Sequence, residues 1–300
     1  MSFYKSFIAL CLALLVSVLF ACQSTGLKIG SLDVGAIVNQ GAKVFNASNI
    51  GLDEEIQFGE NMSAVLLGTR PLYDDKALNQ YVSQVGGWLA LNSTRPELPW
   101  HFGVINSSAI NAFAAPGGFV FITSGMLRQL NNEAQLAAVL AHEIIHVTKQ
   151  HHLNAIKSEA YRSAVTQSLF ISAEAYQGNT NASDKDKQYR FWAQKVTGMA
   201  QDLYSKGFDR EDELQADALA LMLLAKSGYD AYALVDNLQL LDAIAADDSA
   251  LALMYQTHPT PEQRLFAIAA ELTKLPYDSG TGSGKDSGKL LAQRFSQHIN

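Results

Sequence analysis

Cysteine and long apolar runs are both scarce in this sequence, and each shortage excludes a class of protein. The 300 residues contain two cysteines, Cys11 and Cys22, and both lie near the N-terminus. A domain that has no other cysteine is neither a disulfide scaffold nor a thiol enzyme. The longest largely apolar stretch, from Phe7 to Phe20, is shorter than the roughly 20 residues of a membrane-spanning helix.

Basic residues are also in short supply. The chain has 22 Lys and Arg against 29 Asp and Glu, so its formal net charge is −7. This balance argues against nucleic acid as a partner, and no run of like charge marks a binding tail. Hydrophobic residues make up 48% and charged residues 17% of the chain, which suits one globular domain with small appendages.

The N-terminus has the pattern of a secretory signal. Lys5 precedes the apolar stretch, which has the length of a signal-peptide core. The stretch ends in Leu19, Phe20, Ala21 and Cys22, which resembles a bacterial lipobox, although Phe20 replaces the usual small residue. The competing cleavage needs small residues at −3 and −1, and Leu19 fits that poorly. We therefore predict a signal peptide over residues 1–21 and lipidation of Cys22.

The lipobox resemblance also implies a location. Gln23 follows the cysteine where Asp would resemble an inner-membrane retention signal. The implied location is the outer membrane of a Gram-negative bacterium, with the protein lipid-anchored and facing the periplasm. Several acyl chains on one cysteine would anchor it stably, because each buried methylene contributes about 0.8 kcal/mol.

The strongest chemical signal is the segment His142-Glu143-Ile144-Ile145-His146. Residues four apart lie on one face of a helix, so both imidazoles can reach one metal ion. Glu143 then lies where a general base can contact a metal-bound water. A helix is expected here because Asn132 can cap its N-terminus, with Gln135 as the capping-box partner. The pattern predicts a catalytic zinc site.

A second helix, predicted over residues 209–227, supplies the third ligand that catalytic zinc usually needs. Glu213 and Asp217 are four residues apart and share a face. Glu213 is the predicted ligand, and Asp217 is predicted to accept the other N–H of a ligand imidazole. The alternative is a charged, solvated helix face, because acidic residues are common at helix starts.

Four motifs, in order, resemble one family of zinc endopeptidases. They are Asn-Ala-Phe-Ala-Ala-Pro-Gly-Gly at 111–118, the pair of His142 and His146 with its Glu, the Glu213–Asp217 segment, and His258-Pro259 followed by Arg264. The resembled family includes HtpX, the eukaryotic CAAX-prenyl endopeptidase, BepA and LoiP. In layout the chain is most similar to the lipoprotein branch of LoiP. The match covers roughly residues 50–272.

The resemblance implies a role for each motif. Zinc would lower the pKa of its water and polarise the scissile carbonyl, and Glu143 would carry the proton to the leaving amine. His258 resembles a family residue that either stabilises the oxyanion or ligates the resting zinc as a fourth ligand. Arg264 is expected to orient the loop of His258 rather than to touch substrate. His151 and His152 are interpreted as supporting or surface residues, because the metzincin spacing is absent.

A β-hairpin is predicted around Pro116-Gly117-Gly118. One of its two strands would present an edge with which an unfolded peptide pairs. The residues of this predicted substrate edge are Asn111, Ala112, Phe113, Phe119, Val120 and Phe121.

The predicted class is α+β, mostly helical: a zincin-type domain with a small antiparallel sheet and an edge strand beside the zinc-binding helix. We expect a signal peptide (1–21), a lipidated tether (22–50), the metallopeptidase domain (51–276) and a Gly/Ser linker with a tail (277–300). Two helices are predicted within residues 153–206.

The predicted function is zinc-dependent cleavage of misfolded or misassembled envelope polypeptides, with one zinc ion per chain. Outer-membrane assembly proteins are candidate partners. The rival interpretation is a zinc-bound periplasmic chaperone or assembly factor with low or gated proteolysis. A third is a structural zinc site, which the open coordination position disfavours.

Overall fold

The computed structural model describes residues 28–29, 32–33, 50–155, 207–244, 249–275 and 284–299. The predicted signal peptide, Cys22 and most of the two helices predicted within 153–206 lie outside these residues. The chain divides into two units, one of residues 1–50 with 156–183 and one of residues 51–155 with 184–300. In the first unit, strand β1 (Lys28–Ile29) pairs antiparallel with strand β2 (Leu32–Asp33).

The second unit is mostly helical with a small sheet, as predicted. Its elements in chain order are α1 (Leu52–Thr69), α2 (Lys76–Leu91), β3 (His101–Ile105), β4 (Ala112–Ala115), β5 (Phe119–Thr123), α3 (Ser124–Leu127), α4 (Glu133–Thr148), α5 (Arg210–Lys226), α6 (Tyr232–Asp242), α7 (Ala252–Thr257), α8 (Pro261–Leu272) and α9 (Gly284–His298). Among the described helices, none has both the length and the apolar character needed to cross a bilayer.

The three-stranded sheet is mixed, which corrects the prediction of an antiparallel sheet. Its strand order is β3-β5-β4, with β5 parallel to β3 and antiparallel to β4. Residues Phe119, Val120 and Phe121 therefore lie in the central strand and are not at an edge. Alternation along a strand reveals its faces but not its neighbours, because pairing joins residues that are distant in sequence.

The turn between β4 and β5 depends on its two glycines. Gly117 and Gly118 have φ angles of 75° and 105°, a region that side chains disfavour. A Cβ atom on Gly117 would also lie 2.6 Å from the Cα atom of Ile56 in α1. The glycine pair therefore permits the tight turn and the close approach of α1.

Helix α4 lies at the centre of the second unit. Its N-terminus is fixed because the side chain of Asn132 accepts a hydrogen bond from the Gln135 amide at 3.0 Å. Every residue from Glu133 to Val147 is buried, and α2, α5, α6, α9, β4 and β5 pack against the helix. An all-round buried helix has little freedom to tilt, so its polar side chains are held firmly.

The C-terminal segment is ordered where a linker and tail were predicted. Helix α9 begins at Gly284 and packs against α4 and α2. Phe295 is buried, the ring of His298 stacks on Tyr81, and Arg294 donates to the buried carboxylate of Glu133. These contacts span more than 150 residues of sequence, so no local pattern reveals them.

Candidate metal centre and active site

Two imidazoles of α4 face each other at the centre of the site. The Nε2 atoms of His142 and His146 lie 3.1 Å apart, and both side chains are buried. Spacing by four residues on one helix brings them together, as the sequence predicted. Two ring nitrogens directed at one point form half of a metal-binding site.

Helix α5 brings a carboxylate to the same point. Glu213 is fully buried, and its two carboxylate oxygens lie 3.5 Å from the Nε2 atoms of His142 and His146 respectively. Neither oxygen has a hydrogen-bond partner among the described residues. Burial acts to raise the pKa of Glu213, but interaction with the imidazoles of His258 and His142 outweighs it, so this pKa lies below its usual value.

His258 lies at the C-terminal end of α7. Its Nε2 atom lies 3.6 Å from a Glu213 oxygen, and its Nδ1 atom lies 2.8 Å from the Thr257 hydroxyl. Potential ligand atoms of His142, Glu213 and His258 all fall within 4.8 Å of one another. Burial lowers the pKa of His258 to about 4, so its ring is neutral at pH 7.

The side chains at this point fit a zinc ion. Imidazole nitrogens and a carboxylate oxygen are common ligands of zinc in proteins. A fully buried carboxylate without a hydrogen-bond partner is costly, and a bound cation would remove that cost. His142, His146 and Glu213 would hold the ion, and His258 is near enough to join them.

Asp217 and Arg264 lie at the Nδ1 side of the His142 ring. One oxygen of Asp217 lies 2.9 Å from His142 Nδ1. Arg264 donates to both Asp217 oxygens, at 2.8 and 2.6 Å. This guanidinium holds the pKa of Asp217 well below its usual range, although burial opposes the shift. Asp217 therefore stays anionic and, by pairing with Nδ1 of His142, leaves the Nε2 atom free for the metal. Arg264 contacts Asp217 and also lies near the loop that carries His258.

His146 has a supporting partner that the sequence interpretation did not specify. Its Nδ1 atom lies 2.9 Å from Nδ1 of His151, whose Nε2 lies 3.1 Å from the Gln215 side-chain oxygen. The ring of Phe208 stacks on His146 with centroids 4.2 Å apart. His151 and His152 are both buried, so neither is a surface residue. The turn after α4 that returns His151 to the helix includes Gln150, whose φ is 57°.

Glu143 lies beside the ligands without joining them. It is buried, and this burial raises its pKa from the usual 4.5 to about 7. A carboxyl group with a pKa near neutral can both accept and return a proton. Glu143 lines a cavity together with His142, His258, Arg264, Asn111 and Asn237.

Strand β4 is the edge nearest this cavity. On its far side, no other strand of the described part of the chain pairs with it. All four of its residues are buried. Asn111 and Ala112 line the cavity, whereas Phe113 packs against Ile105 and Phe121.

Comparison with known proteins matches this chain to a peptidase family and to several named peptidases. The model of peptidase family M48 matches residues 76–272. The β-barrel assembly-enhancing protease of Escherichia coli (strain K12) is 32% identical over 223 residues, which are 73% of this chain and 44% of that protein. The mitochondrial metalloendopeptidase OMA1 of Schizosaccharomyces pombe is 27% identical over 224 residues, or 74% and 62% of the two chains.

A further relative is similar over most of its length. Metalloprotease YcaL of Escherichia coli (strain K12) is 22% identical over 240 residues, which are 79% of this chain and 78% of that protein. By contrast, the chain spans less than half the length of the Escherichia coli β-barrel assembly-enhancing protease.

Proposed function

The chain belongs to peptidase family M48, and from this premise we propose that it is a zinc-dependent endopeptidase. The observation that carries the proposal is the buried Glu213 carboxylate, which lies beside two facing imidazoles and has no hydrogen-bond partner in the described structure. The metalloendopeptidase relatives support the same activity. A buried site of this composition suits a catalytic metal.

In the proposed mechanism, each residue has a defined task. His142, His146 and Glu213 hold the zinc ion, which when bound supplies a Lewis acid that acidifies water and polarises a carbonyl. Glu143 takes a proton from the attacking water and passes it to the leaving amine. Asp217 and Arg264 keep His142 in the orientation and tautomer that ligation requires.

Two roles are proposed for His258, and an experiment can distinguish them. Its Nε2 atom faces Glu213, so it can ligate zinc in the resting protein. When a substrate is bound, the same ring can instead donate a hydrogen bond to the developing oxyanion. In a His258→Ala variant, loss of cleavage would indicate oxyanion stabilisation, whereas a gain would indicate a resting ligand.

The proposed substrates are misfolded or misassembled cell-envelope proteins. One relative carries the name β-barrel assembly-enhancing protease, which supports envelope substrates and outer-membrane assembly proteins as partners. An extended peptide would pair with β4 through its backbone, which makes few demands on sequence. N-methylation of a substrate amide at the paired position should then weaken binding; unchanged affinity would remove β4 from the proposal.

The proposed location is the periplasmic face of the outer membrane, with an anchor on Cys22. The sequence pattern Leu19-Phe20-Ala21-Cys22 is its support. Metabolic labelling with a clickable fatty acid should mark the wild-type chain and not a Cys22→Ala variant. A label retained by the variant would exclude this anchor.

Cleavage of unfolded casein by the zinc-loaded full chain, purified in detergent, tests the activity. Glu143→Gln should lower the rate at least roughly 100-fold, because the general base is lost. Its zinc content and thermal midpoint should match those of wild type. Glu262→Gln, a change at an exposed helical glutamate, is the matched control and should cleave normally. Equal rates for wild type and Glu143→Gln would exclude the proposed mechanism.

A zinc-bound chaperone or assembly factor is the second candidate. The closeness of His258 to Glu213 favours it, because a fourth protein ligand would leave zinc without an open position. On this alternative, wild type and Glu143→Gln would both fail to cleave while binding zinc stoichiometrically, and both would suppress aggregation of an unfolded client. Cleavage by wild type alone would reject it.

A further inference from the structure

The two histidines of α4 that face each other have different partners. His142 faces the Asp217 carboxylate through its Nδ1 atom. His146 instead faces a second imidazole, with 2.9 Å between its Nδ1 atom and Nδ1 of His151. Two ring nitrogens form a hydrogen bond only if one of them carries a proton and the other does not. The ring that carries this proton decides whether His146 can bind a metal.

The side chains beyond His151 indicate where its own proton lies. The Nε2 atom of His151 lies 3.1 Å from the side-chain oxygen of Gln215 and 3.6 Å from a carboxylate oxygen of Asp212. Both oxygens are acceptors, and an ionised carboxylate cannot donate, so they favour a proton on Nε2. The Nδ1 atom of His151 then has a free lone pair and can accept a hydrogen bond from His146.

A proton on Nδ1 prepares His146 for a metal ion. A neutral imidazole carries one ring proton, so with that proton on Nδ1 the Nε2 atom keeps its lone pair. The Nε2 atom of His146 is the one that faces His142 and Glu213. The reverse arrangement, with the proton of His151 on Nδ1, would move the proton of His146 to Nε2 and block ligation.

The backbone next to His151 is strained and is held in place by other side chains. Gln150 has a φ of 57°, a left-handed conformation that residues with a Cβ atom disfavour. Its side-chain nitrogen donates to the buried Glu55 at 3.0 Å. Arg95 donates to both oxygens of the same carboxylate, at 2.7 and 3.0 Å. Strain that surrounding contacts maintain is found most often at functional sites, so the placement of His151 is a built feature.

We propose that His151 is a positioning residue for zinc binding and that Gln215 and Asp212 set its tautomer. In this relay, the two oxygens hold a proton on His151 Nε2, His151 Nδ1 accepts from His146, and His146 Nε2 stays open for the ion. His151 acts through His146 and not on the substrate. The inference rests on the proposed function, because His146 must be a zinc ligand.

The zinc affinity of two His151 variants tests the accepting role. The full chain is purified in detergent, and its zinc affinity is measured by competition with a chromophoric chelator. His151→Leu removes the acceptor and should weaken binding 10- to 100-fold, as is typical when the partner of a ligand histidine is lost. His151→Asn has a similar shape, but its amide oxygen can replace Nδ1 as the acceptor, so its affinity should stay within about threefold of wild type.

Substitution of Gln215 tests the tautomer from the outer end of the relay. Gln215 is exposed, so its replacement does not disturb the core. Gln215→Lys places a group that only donates beside His151 and should lower zinc affinity about tenfold, whereas Gln215→Glu keeps an acceptor and should bind at least as tightly as wild type. Glu211→Gln, at an exposed position one turn earlier on α5, makes the same change in net charge as Gln215→Lys and should leave the affinity unchanged.

Nitrogen NMR of the zinc-loaded chain observes the proton directly. Protonated and unprotonated ring nitrogens have well-separated ¹⁵N shifts, and the chain has seven histidines, so histidine-selective labelling gives few signals. The signals of His151 are those that His151→Asn lacks. The proton of His151 should lie on Nε2, which a role in packing alone would not require.

The outcomes separate the relay from the proposed function. A proton on Nδ1 of His151, or on both of its ring nitrogens, would overturn the relay. Equal zinc affinities of wild type and Gln215→Lys, or equal losses in His151→Leu and His151→Asn, would also overturn it. If thermal melting shows that His151→Leu is unfolded, Gln215→Lys and the NMR measurement decide. A wild-type chain that binds no zinc would overturn the proposed function as well, whereas casein cleavage by wild type tests the peptidase independently of the relay.

Discussion

At the scale of single residues, the site contains buried charged groups that would destabilise the fold if their partners were absent. Asp217 is fully buried and Arg264 is nearly so, yet each carries a charge that the other offsets. The pair lies directly against His142. Removal of one member of such a pair costs more than the pair contributes, because the other charge is left buried alone.

Asp217→Asn should therefore weaken both zinc binding and the fold. We expect a 10- to 100-fold lower zinc affinity, as is typical when the partner of a ligand histidine is lost. The free energy of unfolding should fall by about 3–5 kcal/mol, since Arg264 becomes unpaired. Competition with a chromophoric chelator and urea unfolding measure the two quantities. Asp236→Asn, at an exposed position of α6, is the control, and an equal effect there would contradict the argument.

At the scale of elements, the site depends on how chain segments meet. Gly207 precedes α5 with a φ of 68°, and a Cβ atom there would lie 1.8 Å from the carbonyl oxygen of Thr257. Thr257 is followed at once by His258. The entry to the helix that carries Glu213 is thus packed against the segment that carries His258.

Gly207→Ala should disturb this junction. We expect a loss of stability greater than the about 1–2 kcal/mol that a left-handed alanine costs, together with reduced cleavage, since His258 must move. Gly228→Ala provides the matched control, because Gly228 has a φ of 80° but an open space around its Cα. Thermal melts and casein assays of both variants measure the difference; indistinguishable variants would show that the contact with Thr257 is unimportant.

A second junction joins three helices and the segment after α5 around Glu133. Hydroxyls of Tyr81 and Tyr229 donate to its carboxylate at 3.0 and 2.9 Å, and Arg294 of α9 donates as well. Burial and then the charge of Glu133 raise the pKa values of both tyrosines above the usual phenol range. The start of α4 is therefore tied to α2, to the segment after α5 and to α9.

This junction should make the protein sensitive to alkali. Because the pKa of each tyrosine is higher in the folded than in the unfolded chain, the protonated tyrosines stabilise the fold. This stabilisation is complete below the unfolded-chain pKa of about 10 and is lost as the pH rises above it. We expect the thermal midpoint to fall above pH 10, and to fall less steeply in Tyr81→Phe/Tyr229→Phe. Tyr232→Phe, at a side chain that is 47% exposed, should leave the slope unchanged. Identical slopes in all three proteins would exclude the tyrosines as the cause.

At the scale of the whole molecule, the apolar core and the candidate metal centre should contribute separately to stability. The core of the second unit runs continuously through α2, the sheet, α4, α5 and α6, and it surrounds the site. A core of this extent supports the fold by burial of apolar surface without help from a metal. Zinc would add stability in proportion to its binding free energy.

Chelation of zinc should accordingly weaken the protein without unfolding it. At a thousandfold excess of zinc over Kd, removal costs about 4 kcal/mol, which appears as a lower thermal midpoint. The far-UV circular dichroism at 25 °C should stay helical, and zinc should restore both midpoint and cleavage. Collapse of the helical signal on chelation would instead indicate the structural zinc site of the third interpretation.

The sequence by itself determined the local parts of this protein. Spacing by four residues places His142 near His146, and places Glu213 on the same face as Asp217, because helix geometry depends only on neighbouring residues. Asn132 caps its helix as expected, with a side chain that accepts from Gln135. Motif order gave the family, which the match over residues 76–272 confirms.

Only the tertiary structure decided which of these parts meet. Strand β5 lies between β3 and β4, so of the two strands that could present the edge only β4 does. Strand order depends on the packing of segments that are distant in sequence. The sequence also did not reveal three further features. They are the partner of His146, the two acceptors that face His151, and the packing of α9. Each of these features depends on contacts between side chains that are distant in sequence. Local propensity does not determine such contacts, and burial in the shared core does.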